Sequence, residues 1–103
     1  MIQAVFFDID GTLLSHRSCT VPASTQKALA KLGDCHRPPV QGYTREETAA
    51  FGDGENDREM LRYVHKGIAM ANASGSVKAA ADYVTTDVDE DGIQNGLHYL
   101  GLV

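Results

Sequence analysis

Apolar and polar positions along the chain switch repeatedly between two periods. Residues 2–9 (IQAVFFDI) form an apolar run rich in Val, Ile and Phe that ends in an Asp-Gly turn. That is the pattern of a strand buried on both faces. Residues 22–32 (PASTQKALAKL) take helical spacing. Pro22 opens the segment, Ala28, Leu29 and Leu32 share a face, and Gly33 stops it. A short strand is predicted over 48–52 (TAAFG), and a helix over 56–64 with Met60, Leu61 and Val64 on one face. Further along, strands are expected over 67–70 and 83–85, and helices over 75–81 and 92–100. Strand and helix alternate throughout, with no internal repeat. The implied fold is α/β: a parallel sheet joined by right-handed crossovers, with helices on its faces. Residues 33–44 (GDCHRPPVQGYT) break the alternation, and their two prolines and two glycines without periodicity mark a loop.

Composition narrows the class. The chain has 103 residues, enough for a single domain over 1–103 but not for an accessory one. It is 43% hydrophobic and 22% charged, an ordinary globular balance. Nine Lys and Arg against 14 Asp and Glu give a net charge of −5. That balance argues against a nucleic-acid or anionic-membrane surface and permits a cation site. No apolar run approaches membrane-spanning length, and Asp8 interrupts the opening run where a signal peptide needs continued apolarity. Cys19 and Cys35 fit no metal or disulfide framework. They read as reduced thiols, with a cytoplasmic location expected.

In parallel sheets ligands sit beyond the carboxyl ends of strands. Two of the expected strands end there in acid-glycine turns, Asp8-Ile9-Asp10-Gly11-Thr12 and Gly52-Asp53-Gly54-Glu55-Asn56-Asp57. Asp8 and Asp10 share one strand face if the strand persists, while the turn can re-aim the second. If the two tips are neighbours, Asp8, Asp10, Asp53 and Asp57 converge. Two carboxylates 4 Å apart repel by about 4 kcal/mol at an effective dielectric near 20. Such a cluster takes up protons or holds a cation. All-oxygen ligands with room for water favour Mg²⁺. A hard cation beside a free carboxylate and glycine N–H groups suits phosphoryl transfer, with an aspartate as nucleophile and a second acid handling the proton.

The segments DIDGTLL (8–14) and FGDGENDREML (51–61) resemble the first and fourth motifs of the haloacid-dehalogenase-like hydrolases, and of their Cof-type phosphatases in particular. GIAMANASGSVKAAADYVTTDVDEDGI (67–93) is similar to the C-terminal half of the same group. The resemblance implies a shortened three-layer, Rossmann-like core without a cap domain. Its activity would be Mg²⁺-dependent hydrolysis of small phosphomonoesters through an aspartyl-phosphate. It implies Asp8 as nucleophile and metal ligand, and Asp10 as general acid/base that lends its backbone carbonyl to the metal. Asp53 would be the third metal anchor, with Asp57 orienting the metal's waters. Gly11 and Thr12 would shape the phosphate loop, and Asn56 would contact phosphate or substrate.

The chain departs from the family where residues 33–42 replace a second core strand, a phosphate-holding Ser/Thr, the cap and a Lys. Cys35 falls at the Ser/Thr position, and Arg37 is the candidate stand-in cation. Any activity is therefore expected to be slow and promiscuous. The alternative is an inactive remnant that binds metal or self-associates. Loss of the neighbouring strand exposes one edge of residues 2–9, and an unpaired apolar edge invites a homo-oligomer. Two rival motifs are weaker. Asp87–Gly92 starts like an EF-hand loop, but His98 stands where the bidentate Glu belongs. His16, His36, His65 and His98 have no metal spacing and read as surface or internally satisfied residues.

Overall fold

The computed structural model describes residues 2–33 and 44–103. Cys35, His36 and Arg37, with the rest of residues 34–43 and the loop expected there, lie outside the described residues. The element order is β1 (Ala4–Phe7), α1 (Ala23–Gly33), β2 (Thr48–Gly52), α2 (Arg58–Tyr63), β3 (Lys66–Ala69), α3 (Gly75–Ala80), β4 (Tyr83–Val84) and α4 (Gly92–Tyr99). All four strands are parallel and lie side by side in chain order, β1-β2-β3-β4. The fold is the three-layer, Rossmann-like α/β arrangement.

Two apolar clusters make the layers. Phe51 of β2 and Ile68 of β3 point to one face, where they meet Ala28 of α1 and Ile93 and Leu97 of α4. Ala50 and Ala69, one residue along in each strand, point to the other face and meet Leu61 of α2 and Val77 of α3. This is the period-two alternation of a strand covered on both sides. Only small side chains fit on the second face of β2, so α2 lies close.

The placement of α1 has a topological consequence. Strand order advances in one direction, yet α1 packs on the face opposite α2 and α3. The β1-to-β2 connection, as carried by α1, therefore has the opposite hand to the two crossovers that follow. Parallel crossovers are right-handed in nearly all sheets. A right-handed step from β1 through α1 leads to the outer edge of β1, away from β2. Among the described residues nothing is paired on that edge. Phe6, on the face that α2 and α3 cover farther along the sheet, is 50% exposed, and Ile9 is 63% exposed.

Element boundaries differ from the sequence expectation mainly at the tips. β1 is shorter than 2–9, because after Phe7 the chain leaves the ladder for a tight turn in which Leu13 and Leu14 N–H groups donate to the Ile9 carbonyl. The helix expected over 56–64 begins as a 3₁₀ turn, Glu55–Asp57, before α2 proper.

Candidate active site

Register decides the geometry. Phe7 of β1 pairs with Phe51 of β2, and Gly52 pairs with Ala69 of β3. The C-terminal tips of three neighbouring strands thus end together. Asp8 follows the first tip, with its N–H donating to the Phe51 carbonyl at 3.1 Å. Asp53 follows the second tip, and Asn72 lies in the turn after the third.

Asp8, Asp53 and Asp57 each present a carboxylate oxygen such that all three lie within 4.8 Å of one another. Asp57 reaches the group because the 3₁₀ turn folds it back over the β2 tip. Its Oδ2 accepts the N–H groups of Gly54 at 3.0 Å and Asp53 at 3.2 Å. The approach is so close that a Cβ on Gly52 would stand 2.7 Å from the Cβ of Asp57. Asp57 is buried, whereas Asp8 and Asp53 are partly exposed. Burial, then the neighbouring Asp53 carboxylate, holds the Asp8 carboxyl above its ordinary value. Burial also raises Asp57, with Asp8 adding to the effect, against the lowering influence of the two N–H donors.

Asp53 is held from two other segments. Its Oδ1 accepts the hydroxyl of fully buried Thr12 at 3.2 Å, and its Oδ2 accepts the Asn72 side-chain amide at 3.4 Å. Gly11, between the two tips, has φ +82°, and a Cβ there would overlap the Asp53 carboxylate. Only glycine allows this approach.

The structure separates the other expected site residues. The turn re-aims Asp10, which is exposed and bridges by its backbone to Leu14, so its carboxylate is not among the convergent oxygens. Asn56 is exposed on the 3₁₀ turn beside Gly54. Two contributors went unread in the sequence. Asn72 ties three segments together: its amide donates to the Gly11 carbonyl at 2.9 Å and to Asp53, and its Oδ1 accepts the Val88 N–H at 3.1 Å. A polar residue just beyond a strand, in Met70-Ala71-Asn72, was the available signal. His16 sets Nε2 3.9 Å from Asp53 Oδ2, and no spacing rule links it to residue 53. In the Asp87–Gly92 turn the Glu90 and Gly92 N–H groups donate to the Asp87 carbonyl, and the turn leads into α4.

A parallel sheet whose strand tips gather three carboxylates defines an α/β protein with an all-oxygen cluster that could hold a hard divalent ion. Residues 40–97 match the haloacid dehalogenase-like hydrolase family, and the chain belongs to that family. Among its relatives, the putative phosphatase YkrA of Bacillus subtilis is 53% identical over 57 residues, covering 55% of this chain and 22% of YkrA. The solved HAD subclass IIB sugar phosphatase BT4131 is 52% identical, with a TM-score of 0.59, covering 60% of this chain and 24% of its own. A chain from crystal structures that show a trigonal-bipyramidal intermediate in a phosphoryl-transfer superfamily superposes at a TM-score of 0.92, covering 100% of both chains. At 19% identity, that likeness concerns the fold alone. The chain thus spans under a quarter of the length of YkrA and of the sugar phosphatase. Among the described residues, no helix is long and apolar enough to cross a membrane.

Proposed function

We propose that this chain carries the phosphoryl-transfer half of a phosphatase: a Mg²⁺-dependent hydrolase of small phosphomonoesters that works through an aspartyl-phosphate. The observation that carries the reading is the meeting of Asp8, Asp53 and Asp57 at adjacent strand tips, with carboxylate oxygens within 4.8 Å. Asp8, Asp53 and the backbone carbonyl of Asp10 would hold Mg²⁺, with Asp57 steadying the ion's water shell. When bound, the ion neutralises the carboxylates and the incoming phosphate. A free Asp8 oxygen attacks phosphorus, forming the acyl-phosphate bond as the ester P–O bond breaks. Asp10, exposed in the turn after the first strand tip, would swing its carboxyl to the site and protonate the leaving oxygen. Asp10 then takes a proton from the water that attacks the acyl-phosphate, releasing inorganic phosphate and restoring Asp8. Gly11 and Thr12 would shape the loop that receives the phosphoryl group, and Asn56 would contact phosphate or substrate. Relatives named as phosphatases, one a sugar phosphatase, support phosphorylated small molecules as the substrate class.

A second reading follows from the outer edge of β1, unpaired among the described residues, and from the hand of its connection. In it the chain is a catalytically silent, metal-binding module that self-associates through that edge. One experiment separates the two. Hydrolysis of p-nitrophenyl phosphate is measured with and without Mg²⁺, for wild type and Asp8→Asn. Mg²⁺-dependent turnover that vanishes in Asp8→Asn supports the phosphatase. Equal rates in both proteins, with Mg²⁺ still raising the melting temperature of wild type, support the silent module.

A further inference from the structure

We infer that His16 is a phosphate-binding residue of this site, its Nε2–H donating to a non-bridging oxygen of the substrate. The inference rests on the phosphatase reading above and adds to it a residue whose position, and not its spacing in the sequence, reveals it.

Charge balance sets the requirement. Three convergent carboxylates already exceed what one divalent cation neutralises, and a phosphomonoester brings further negative charge. Some positively polarised group must face the phosphate. Among the described residues, His16 is the one Lys, Arg or His side chain with a nitrogen within 4.0 Å of Asp8, Asp53 or Asp57. Arg58, the other cation near the β2 loop, instead pairs with Glu55 at 3.6 Å.

The loop that carries His16 is built to hold it there. Ser15 is fully buried and organises the turn: its N–H donates to the Thr20 carbonyl at 2.9 Å, and its Oγ accepts the N–H groups of Arg17 at 3.1 Å and Ser18 at 3.2 Å. Cys19 closes the turn in the left-handed region at φ 58°. This places the imidazole over Gly11, whose missing Cβ would lie 2.8 Å from His16 Nε2. The imidazole keeps 69% of its surface exposed. An exposed pair at 3.9 Å contributes little to stability. The contact adds little to the fold and leaves the imidazole accessible to a ligand. Nε2–H is a donor in the imidazolium and in one neutral tautomer, so either form serves.

The test uses wild type, His16→Ala, His16→Lys and Asp8→Asn, with p-nitrophenyl phosphate, Mg²⁺ and inorganic phosphate as probes. Loss of a donor to a charged oxygen in both ground and transition states raises KM and leaves kcat nearly unchanged. In His16→Ala, KM and the inhibition constant of inorganic phosphate should rise together by about tenfold. The Mg²⁺ midpoint should stay fixed, and His16→Lys should restore phosphate affinity. In wild type loaded with Mg²⁺, inorganic phosphate should shift the His16 ¹⁵Nε2 resonance. Unchanged KM and phosphate inhibition in His16→Ala would overturn the inference, as would a change explained wholly by a moved Mg²⁺ midpoint. If wild type and Asp8→Asn hydrolyse equally, the phosphatase reading fails, yet the resonance experiment still judges His16. A phosphate-induced shift then sustains the anion site, and its absence removes it.

Discussion

Replacing Asp8 with Asn should make the metal-free protein more stable and the Mg²⁺-treated protein less responsive. An ionised pair of carboxylates at 4.8 Å repels by about 3.5 kcal/mol at an effective dielectric of 20. Asp8 is partly exposed, so solvent and salt reduce this, and removal of its charge should gain about 1–2 kcal/mol at pH 7. For a domain of this size that is a rise of about 4–15 °C in melting temperature. The pH dependence fixes the cause. Asp8 holds its proton more tightly folded than unfolded. The native state therefore binds more protons than the unfolded chain across that window, and stability falls as pH rises from the ordinary aspartate value of 3.8 through the raised one. Asn has no such titration. The stability gap should be near zero at pH 3, grow through the window and level off above it. With saturating Mg²⁺ the order reverses, because wild type gains the larger binding free energy. Thermal melts of both proteins from pH 3 to 8, with and without Mg²⁺, measure this. A gap independent of pH, or an Asn variant less stable than wild type in metal-free buffer at pH 7, would refute the reasoning.

Three further outcomes are expected. Gly11→Ala forces a side chain into the left-handed region and into the Asp53 carboxylate; it should cost about 1–2 kcal/mol in a melt and weaken Mg²⁺ binding in a calorimetric titration. Asn72→Ala breaks the ties to Gly11, Asp53 and Val88; it should destabilise by about 1–2 kcal/mol and weaken Mg²⁺ binding severalfold, since Asp53 loses one of its anchors. Phe6→Lys places a charge on the open β1 edge; it should leave the melting temperature within about 3 °C of wild type while abolishing any oligomer seen by light scattering.

Much of the fold was legible in the residues because burial writes itself into periodicity. Ala49–Gly52 carries no polar side chain, and the structure covers Thr48–Gly52 on both faces. The acid-glycine turns also announced the site. The missing information was local chain direction. Asp8 and Asp10 share a face only while the strand lasts, and the strand ends at Phe7. Asp57 was expected to join the group if the two tips were neighbours, and it does; the Glu55–Asp57 3₁₀ turn that folds it back is what linear spacing does not reveal. His16 and Asn72 reach Asp53 across 37 and 19 positions of chain, a separation no motif encodes. The reverse hand of the β1-to-β2 connection is likewise invisible to periodicity, because it depends on which face α1 covers.

The central claim is that Asp8 and Asp53 share one divalent cation, and a crystal soaked in Mn²⁺ as an anomalous scatterer tests it most directly. The expected result is a single strong anomalous peak in bonding contact with carboxylate oxygens of both residues. A fully bathed crystal with no peak there, or with manganese bound only elsewhere, would contradict it.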